Sequence, residues 1–368
     1  MARAGLGLHW KCLFSNDLDR KKAATYRNNW GEDEMWCGDV RDITTAQLPE
    51  IADLVWASFP CQDLSLAGSG AGLKGERSGT FWPFWNIMAE LNDEGRAPAV
   101  LVLENVCGAL SSHGGKDFAA ICRALRDGSY QYGALIVDAA LFVPQSRPRL
   151  FVIAVHDDIE IPNSLIGDGP TRTFHTRTLK MAYNTLPKAS QKKWVWWNVQ
   201  EPPARKSVLS DLIEDNPSSV AWYTPAETRK LLSMMSDVNL EKVCEAKREG
   251  RQIVGGVYKR TRRDANGCKV QRAEARFDDV AGCLRTPAGG SSRQLIIVVD
   301  GQKVRSRLIS SRETARLMGL PDEYELPKNY NEAYHLTGDG VVVPVVRFLA
   351  DQVFEPVIAK MISTRAAA

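Results

Sequence analysis

Short, almost wholly apolar runs alternate along the first part of the chain with longer stretches in which apolar residues recur every three to four positions. Lys11-Cys12-Leu13-Phe14-Ser15-Asn16 reads as a strand that ends in polar residues, and Asp19 to Asn29 as the helix that follows it. Residues 51–57, Ile-Ala-Asp-Leu-Val-Trp-Ala, predict a second strand, and 99–103 a third with no polar residue; 134–139 and 150–155 predict two more. Between them 81–91 and 116–125 suit helices, the latter with Phe118, Ile121, Cys122 and Leu125 at helical spacing. A strand without polar alternation is buried on both faces, so the pattern predicts an α/β fold with a mostly parallel sheet covered on both sides. Sheets of that kind place ligands outside the carboxyl ends of their strands.

The pattern changes near residue 160. Residues 161–203 read as polar and irregular, with Trp194, Trp196 and Trp197 bunched in what is expected to be a small core of this region. Residues 247–276 hold ten Lys and Arg against three Asp and Glu, with Tyr258 among them. From Arg312 the chain turns helical and apolar again, and 347–360 predicts a closing amphipathic helix. The expected organisation is a first domain over 1–160, an inserted region over 161–300, and a C-terminal segment over 301–368 that returns to the first domain.

Composition narrows the class. At 44% apolar and 25% charged the chain is an ordinary globular protein, and its net charge of +3 does not by itself argue for a nucleic-acid partner. No apolar run approaches the roughly 18 residues of a membrane helix, and the first residues lack a secretory pattern, so a cytoplasmic location without a membrane partner is expected. The eight cysteines are scattered, none in a C-x-x-C pair, which argues against a metal site and a disulfide framework.

Three segments carry candidate chemistry. Ala57-Ser58-Phe59-Pro60-Cys61-Gln62 follows a strand directly, which puts Cys61 on a loop at the carboxyl edge of the sheet, where a thiol can act as a nucleophile once ionised. Val102-Leu103-Glu104-Asn105-Val106 ends the next strand with a carboxylate; Glu104 can serve as a general acid if burial raises its pKa. Pro144-Gln145-Ser146-Arg147-Pro148-Arg149 precedes another strand, and Arg147 and Arg149, two apart on an extended segment, point the same way and could clamp a phosphate or a base carbonyl.

F-P-C-Q followed by S-x-A-G, then L-E-N-V, then Q-S-R-P-R-L-F-V-I-A, resembles in order and spacing the motif series of DNA cytosine-5 methyltransferases. Asn16-Asp17-Leu18, Gly38-Asp39-Val40, Arg312-Glu313-Thr314-Ala315-Arg316 and Gly338-Asp339-Gly340 extend the resemblance over nearly the whole chain outside its variable middle. It implies a Rossmann-like S-adenosylmethionine-dependent methyltransferase sheet with an inserted small target-recognition domain. In that likeness Cys61 adds to C6 of a flipped-out cytosine, Glu104 hydrogen-bonds or protonates N3, Arg149 contacts the base carbonyl and Arg147 supports it. Asp17, Leu18, Asp39, Val40, Phe59, Pro60, Asp339 and Gly340 fall where the family holds S-adenosylmethionine. The basic middle falls where the family recognises its target, and Arg260, Arg262 and Arg263 are the expected contacts to double-stranded DNA there. Ser291, Ser292 and Arg293, in the loop that follows, are expected to reach the DNA or the flipped base.

The sequence departs from the family in three places. The strand and the F-x-G-x-G-G loop that open the family pattern are not found, and Met1 to Gly7 matches the helix that follows them. A missing central strand is expected to leave neighbouring backbone groups unpaired and the cofactor pocket open on one side. Two readings of this stay open, a start codon lying upstream or a truncated or split enzyme. Asp339 stands where asparagine is common, adding a charge near the cofactor, and Leu18 where an aromatic platform is frequent. A bacterial or phage DNA modification enzyme, monomeric and paired with a restriction endonuclease or working without one, is the expected function. A tRNA-directed relative and a catalytically inactive DNA-binding relative are the alternatives.

Overall fold

The computed structural model describes residues 1–59, 80–263, 267–286 and 293–367. Its first part runs α1 (Ala2–Leu6), β1 (Ser15–Asp17), α2 (Arg20–Trp30), β2 (Met35–Cys37), β3 (Leu54–Ala57), α3 (Phe81–Asp93), β4 (Val100–Val106), α4 (Lys116–Asp127), β5 (Tyr130–Asp138) and β6 (Pro148–His156). Four strands form a sheet in the order β3-β4-β6-β5, and β1 and β2 pair parallel beside one another. Among the described residues no ladder joins β1 to β3, so each has a strand neighbour on one side only.

The apolar strands feed two cores by turns. Val100, Val102, Leu135, Val137, Phe151 and Ile153 face one side. Leu101, Leu103, Ala134, Ile136, Leu150 and Val152 face the other, under α3 and α4. This two-sided burial is why the strands show no polar alternation. The sheet is less parallel than the pattern predicted: β3 and β4 run parallel, but β6 is antiparallel to both β4 and β5. The reason is the short link from Asp138 to Pro148, which cannot hold the helical crossover that a parallel pair requires. The first strand is also shorter than expected. Pairing begins at Ser15, while 11–14 bond into no ladder. The helices agree closely with the pattern, and Asp19 caps α2 by accepting from the Lys21 and Lys22 backbone N–H groups.

Residues 161–203 are neither irregular throughout nor a separate core. They hold β7 (Ile166–Gly167), α5 (Arg177–Asn184), the single turn α6 (Lys188–Gln191) and β8 (Trp196–Trp197). Trp197 is fully buried in the same core as Val137 and Phe151, and Trp194 meets the rings of Phe118 and Tyr132 edge-on at 6.2 and 6.0 Å. Trp194 and Trp196 do cluster with each other and with Tyr183 and His175 of the same region, as expected, but Trp197 belongs to the core of the first sheet and the cluster is not separate from it. Gly133 explains the placement: a Cβ there would lie 1.9 Å from the Val195 carbonyl oxygen, so only glycine lets this segment lie directly on β5.

A second module follows, with α7 (Pro225–Ser233), α8 (Asp237–Arg248), β9 (Gln252–Arg263), β10 (Lys269–Arg276), β11 (Leu295–Asp300) and β12 (Lys303–Leu308). Its strands form an antiparallel sheet in the order β10-β9-β11-β12, with Leu231, Met235, Val243 and Ala246 packed on Val257, Ala273, Leu295 and Ile297. The chain returns through α9 (Ser311–Leu317), α10 (Tyr330–Asp339) and α11 (Val343–Leu349). A π-helical turn over 350–354 joins α11 to α12 (Glu355–Ala367). Val345, Val346, Phe348, Leu349, Val353 and Phe354 cover the face of the first sheet that α3 and α4 leave open. Helix α1 rests on α11 through Gly5, whose Cβ would meet Val346 Cβ at 2.4 Å. Glu313, in the Arg312–Arg316 motif, is fully buried against Arg307 of β12 at 2.6 Å, which fastens the returning helices to the second module. No helix among the described residues is long and apolar enough to cross a membrane.

Candidate active site

Glu104 and Arg149 meet because of strand register. Glu104 sits opposite Phe151 in the antiparallel pair β4–β6, and Arg149 lies two residues before Phe151 on the same face, so the two are diagonal neighbours. Arg149 Nε lies 3.3 Å from Glu104 Oε1, and both side chains are largely buried, at 15% and 9% exposure. The pair stands at the carboxyl end of β4, where the pattern of the sheet places ligands. Asn105, next along β4, donates from Nδ2 to the Phe59 carbonyl at 3.3 Å. That bond ties the carboxyl end of β3 to the same corner, and the Phe59 ring packs on Phe81 of α3 at 5.4 Å. Pro60 and Cys61 lie outside the described residues.

Arg147 does not face outward as a clamp. It is 2% exposed, and its two terminal nitrogens are taken by internal acceptors, while Nε is buried without a hydrogen-bond partner among the described residues. One nitrogen donates to the Leu284 carbonyl at 2.8 Å, the other to the carbonyls of Gly338 and Gly340, both at 2.7 Å. Burial holds its pKa below the usual arginine value, and Arg149 adds to that. It joins the Pro144–Arg149 segment to the end of α10 and to residues 281–285. That last segment also pairs with the arginine loop through main-chain bonds from Ser146 N to the Ala281 oxygen and from Ala281 N to the Pro144 oxygen.

Cys283 went unnoticed in the sequence. Arg147 and Arg149 both donate toward its sulfur, at 3.4 and 3.8 Å. Burial alone would push this thiol up, but Arg147, Arg149 and Arg285 outweigh it and hold it below the ordinary thiol value. Nothing around Ala-Gly-Cys-Leu-Arg in the sequence signals this contact, because it is made by residues more than 130 positions away.

The candidate cofactor residues gather at the ends of β1 and β2. Asp17 closes β1, accepts from the Asp19 backbone N–H at 2.8 Å, and is held above the usual carboxylate range by burial. Asp39 follows β2 and accepts from the Arg41 backbone N–H at 3.0 Å, with Val40 beginning the turn after it. Leu18 is 68% exposed, an apolar side chain that the protein leaves mostly uncovered. Two carboxylates on adjacent parallel strand ends beside an open apolar side chain suit a ribose and a flat heteroaromatic base. The charge that Asp339 adds is matched by Lys22 at 2.7 Å, and Asp339 also accepts from the Thr286 hydroxyl. Gly340 lies at the end of α10, its carbonyl held by Arg147.

The candidate DNA residues divide. Arg260 and Arg262 share a face of β9 with Glu274 of β10, at 3.4 and 2.5 Å from its carboxylate. Arg263 lies on the opposite face and donates to the Gly267 carbonyl at 2.9 Å. Arg293 packs inward over the Tyr330 ring at 5.7 Å and donates to Asn331. Ser291 and Ser292 lie outside the described residues. A cleft of about 530 Å³ separates the arginine loop from the β9–β10 face, with Ser146, Pro148 and Cys283 on one wall and Tyr258, Arg260 and Glu274 on the other.

Comparison with known proteins gives the same picture. The family model for C-5 cytosine-specific DNA methylase matches residues 1–355. The chain is 25% identical to the Type II methyltransferase M.BsuFI of Bacillus subtilis over 344 residues, 92% of this chain and 66% of that protein. It is 24% identical to the Type II methyltransferase M.NlaX of Neisseria lactamica over 346 residues, 93% of this chain and 88% of that protein. Among solved structures, the S. pombe Dnmt2 methyltransferase superposes with a TM-score of 0.53 at 16% identity, covering 94% of this chain and 91% of its own, which shows a common fold.

Proposed function

The chain belongs to the family of C-5 cytosine-specific DNA methylases, and from that membership we propose that it methylates C5 of a flipped-out cytosine in double-stranded DNA through a covalent bond from Cys61. The family depends on S-adenosylmethionine, which supplies a methyl group on a sulfonium centre. Asp17 would hold its ribose and Asp39 its adenine amino group, with Leu18, Val40, Phe59 and Pro60 along the base and Asp339 and Gly340 at the pocket's far wall. The observation that carries the reading is the buried Glu104–Arg149 pair at the carboxyl end of β4, beside the strand end that leads to Cys61.

The chemistry asked of these residues is consistent. Cytosine C5 is a poor nucleophile until something adds at C6. The Cys61 thiolate forms that bond, and the electrons pass toward N3, where Glu104 hydrogen-bonds or delivers a proton. Arg149 holds the base carbonyl and keeps Glu104 in place. C5 is then an enamine carbon, able to take a methyl group. Loss of the C5 proton and expulsion of Cys61 as thiolate restore the ring and the enzyme. A base within a duplex is out of reach of these groups, so it must leave the stack. This reading assigns 1–160 to catalysis, 161–300 to target recognition and 301–368 to the return, with the hairpin β11–β12 across the last border. The same reading puts the protein in a bacterial or phage modification system, as a monomer, paired with a restriction endonuclease or working without one.

The test uses a mixed-sequence DNA with labelled S-adenosylmethionine, and a second duplex carrying 5-fluorocytosine, whose fluorine blocks the final elimination. The parent chain should label DNA and form a denaturant-stable adduct. Cys61→Ser should do neither while still binding DNA. Methyl transfer retained by Cys61→Ser would rule out the covalent route, and label found in transfer RNA but not in DNA would turn the assignment to the RNA-directed alternative.

A further inference from the structure

Tyr258, Arg260 and Arg262 alternate along one face of β9, and their partners on β10 are Glu274, Arg272 and Val270. The opposite face, through Val257, Ala273 and Ala275, is buried against α7 and α8. The first face therefore turns into the cleft beside the arginine loop, which Asn239 and Lys242 of α8 also line. It is held there by a close contact, since a Cβ on Gly282 would lie 1.0 Å from the Tyr258 hydroxyl, so the tyrosine rests on the bare backbone of that residue. Gly282 adjoins Cys283, which touches both Arg147 and Arg149. The wall that carries Arg260 is thus fixed directly to the segment that holds the candidate catalytic arginines.

Within that wall Arg260 is constrained on two sides. Its guanidinium lies over the Tyr258 ring, 5.6 Å from the centroid, and its Nε faces Glu274 at 3.4 Å. Its outer edge, the two terminal nitrogens, makes no hydrogen bond among the described residues, and the side chain is 47% exposed. Glu274 is hydrogen-bonded by Arg262 through its other oxygen, so it stands as a fixed carboxylate beside Arg260, and an arginine oriented at its face and inner nitrogen presents a two-donor fork. Such a fork matches O6 and N7 of a guanine in the major groove, the commonest specific arginine contact to DNA. A loosely held lysine or arginine would serve a phosphate equally well; the double constraint adds nothing to phosphate binding and much to base reading.

We propose that Arg260, positioned by Tyr258 and Glu274, reads one guanine of the target sequence, at a base pair next to the flipped cytosine. This rests on the DNA-methylating reading and deepens it from "duplex DNA" to a named contact. The position follows from the cleft, whose two walls belong to Arg260 and to Pro148, the neighbour of Arg149. Glu274 is a positioning residue, acting through Arg260 and not on the base.

The experiment selects bound duplexes from a randomised pool, with the whole chain and S-adenosylhomocysteine present, and sequences them. The parent should enrich a site with a required guanine. Arg260→Ala should lose that one preference by roughly 10- to 100-fold and keep the others. Arg260→Lys, which keeps the charge without the fork, should also relax it. Glu274→Gln should weaken the preference at the same position and at no other. The proposal fails if Arg260→Ala weakens all sequences equally and lowers the salt dependence by about one charge, the mark of a phosphate contact. It fails as well if the parent enriches no sequence. Methylation of the enriched duplex is scored separately: a duplex bound with specificity but never methylated would sink the enzymatic reading and leave Arg260 as a base reader.

Discussion

Arg147→Lys is the substitution on which the geometry bears most directly. The guanidinium is buried, and its two terminal nitrogens serve three main-chain carbonyls: Leu284 from one, Gly338 and Gly340 from the other. Lysine keeps the charge and has three donors, but all on one nitrogen. That nitrogen cannot occupy both guanidinium positions at once, so at least one carbonyl is left without a donor. An orphaned buried acceptor costs about 1–3 kcal/mol. The more strongly hydrated ammonium adds to this on burial, for a total of roughly 2–4 kcal/mol. In a chain of 368 residues that corresponds to a fall in Tm of about 3–5 °C. Because Leu284 and Gly338 belong to segments that meet only through this side chain and a few neighbours, DNA affinity should fall along with stability, while S-adenosylhomocysteine binding at Asp17 changes less. Thermal melts with and without DNA, and calorimetry with S-adenosylhomocysteine, read these effects. A Tm within about 2 °C of the parent would show that the three carbonyls find other donors, and that Arg147 is not the joint described here.

Glu104→Gln removes the carboxyl group beside Arg149 that is proposed to act at N3, and should lower methyl transfer by about 10²–10⁴-fold with DNA binding kept; a loss under tenfold would take Glu104 out of the chemistry. His175 gives a stability test away from the site. It is 1% exposed, accepts from the Thr171 backbone N–H at Nδ1, and is pushed down to about 4 by burial, with Lys180 adding to the effect. The folded protein holds it neutral where the unfolded chain takes a proton. Stability is therefore full above about pH 6.5 and falls as pH drops toward 4, by up to about 3 kcal/mol. Urea midpoints across that range should show this slope, flattened in His175→Gln; an unchanged slope would place the acid sensitivity elsewhere.

The catalytic sheet was legible because its strands are buried on both faces, and such strands advertise themselves as unbroken apolar runs. β6, α3 and α4 appeared within two residues of their true bounds, and β4 ended three residues later than expected. Strand direction was not legible. Nothing in the apolar run of β6 says that it opposes β4; that follows from the length of the link from β5 and from its position between the two. The region after residue 160 was misread for a related reason. Buried residues such as Phe174 and Leu179 stand singly among polar ones, and they and Trp197 find cover on a sheet that was already formed. A segment that borrows another's core needs no periodicity of its own.

The candidate site divides along the same line. Glu104 and Arg149 could be named because each sits at a strand end in a distinctive motif, and strand register then brings them together. The spacing of the residues alone could not say which arginine does what; only the family resemblance separated Arg149, at the base, from Arg147, its support. Arg147 and Arg149 are two residues apart and on one side of the chain, yet one is spent on carbonyls of Leu284, Gly338 and Gly340 while the other faces a carboxylate. Their roles are assigned by segments that arrive from far along the chain, 281–285 and the end of α10. The same is true of Asp339. By sequence it is an unwelcome charge near a cofactor; in the fold Lys22 of α2 neutralises it and the Thr286 hydroxyl donates to it. The aspartate thereby ties α2 to the segment that ends at Thr286. An asparagine at 339 could still accept from Thr286 but would leave Lys22 without its charge partner.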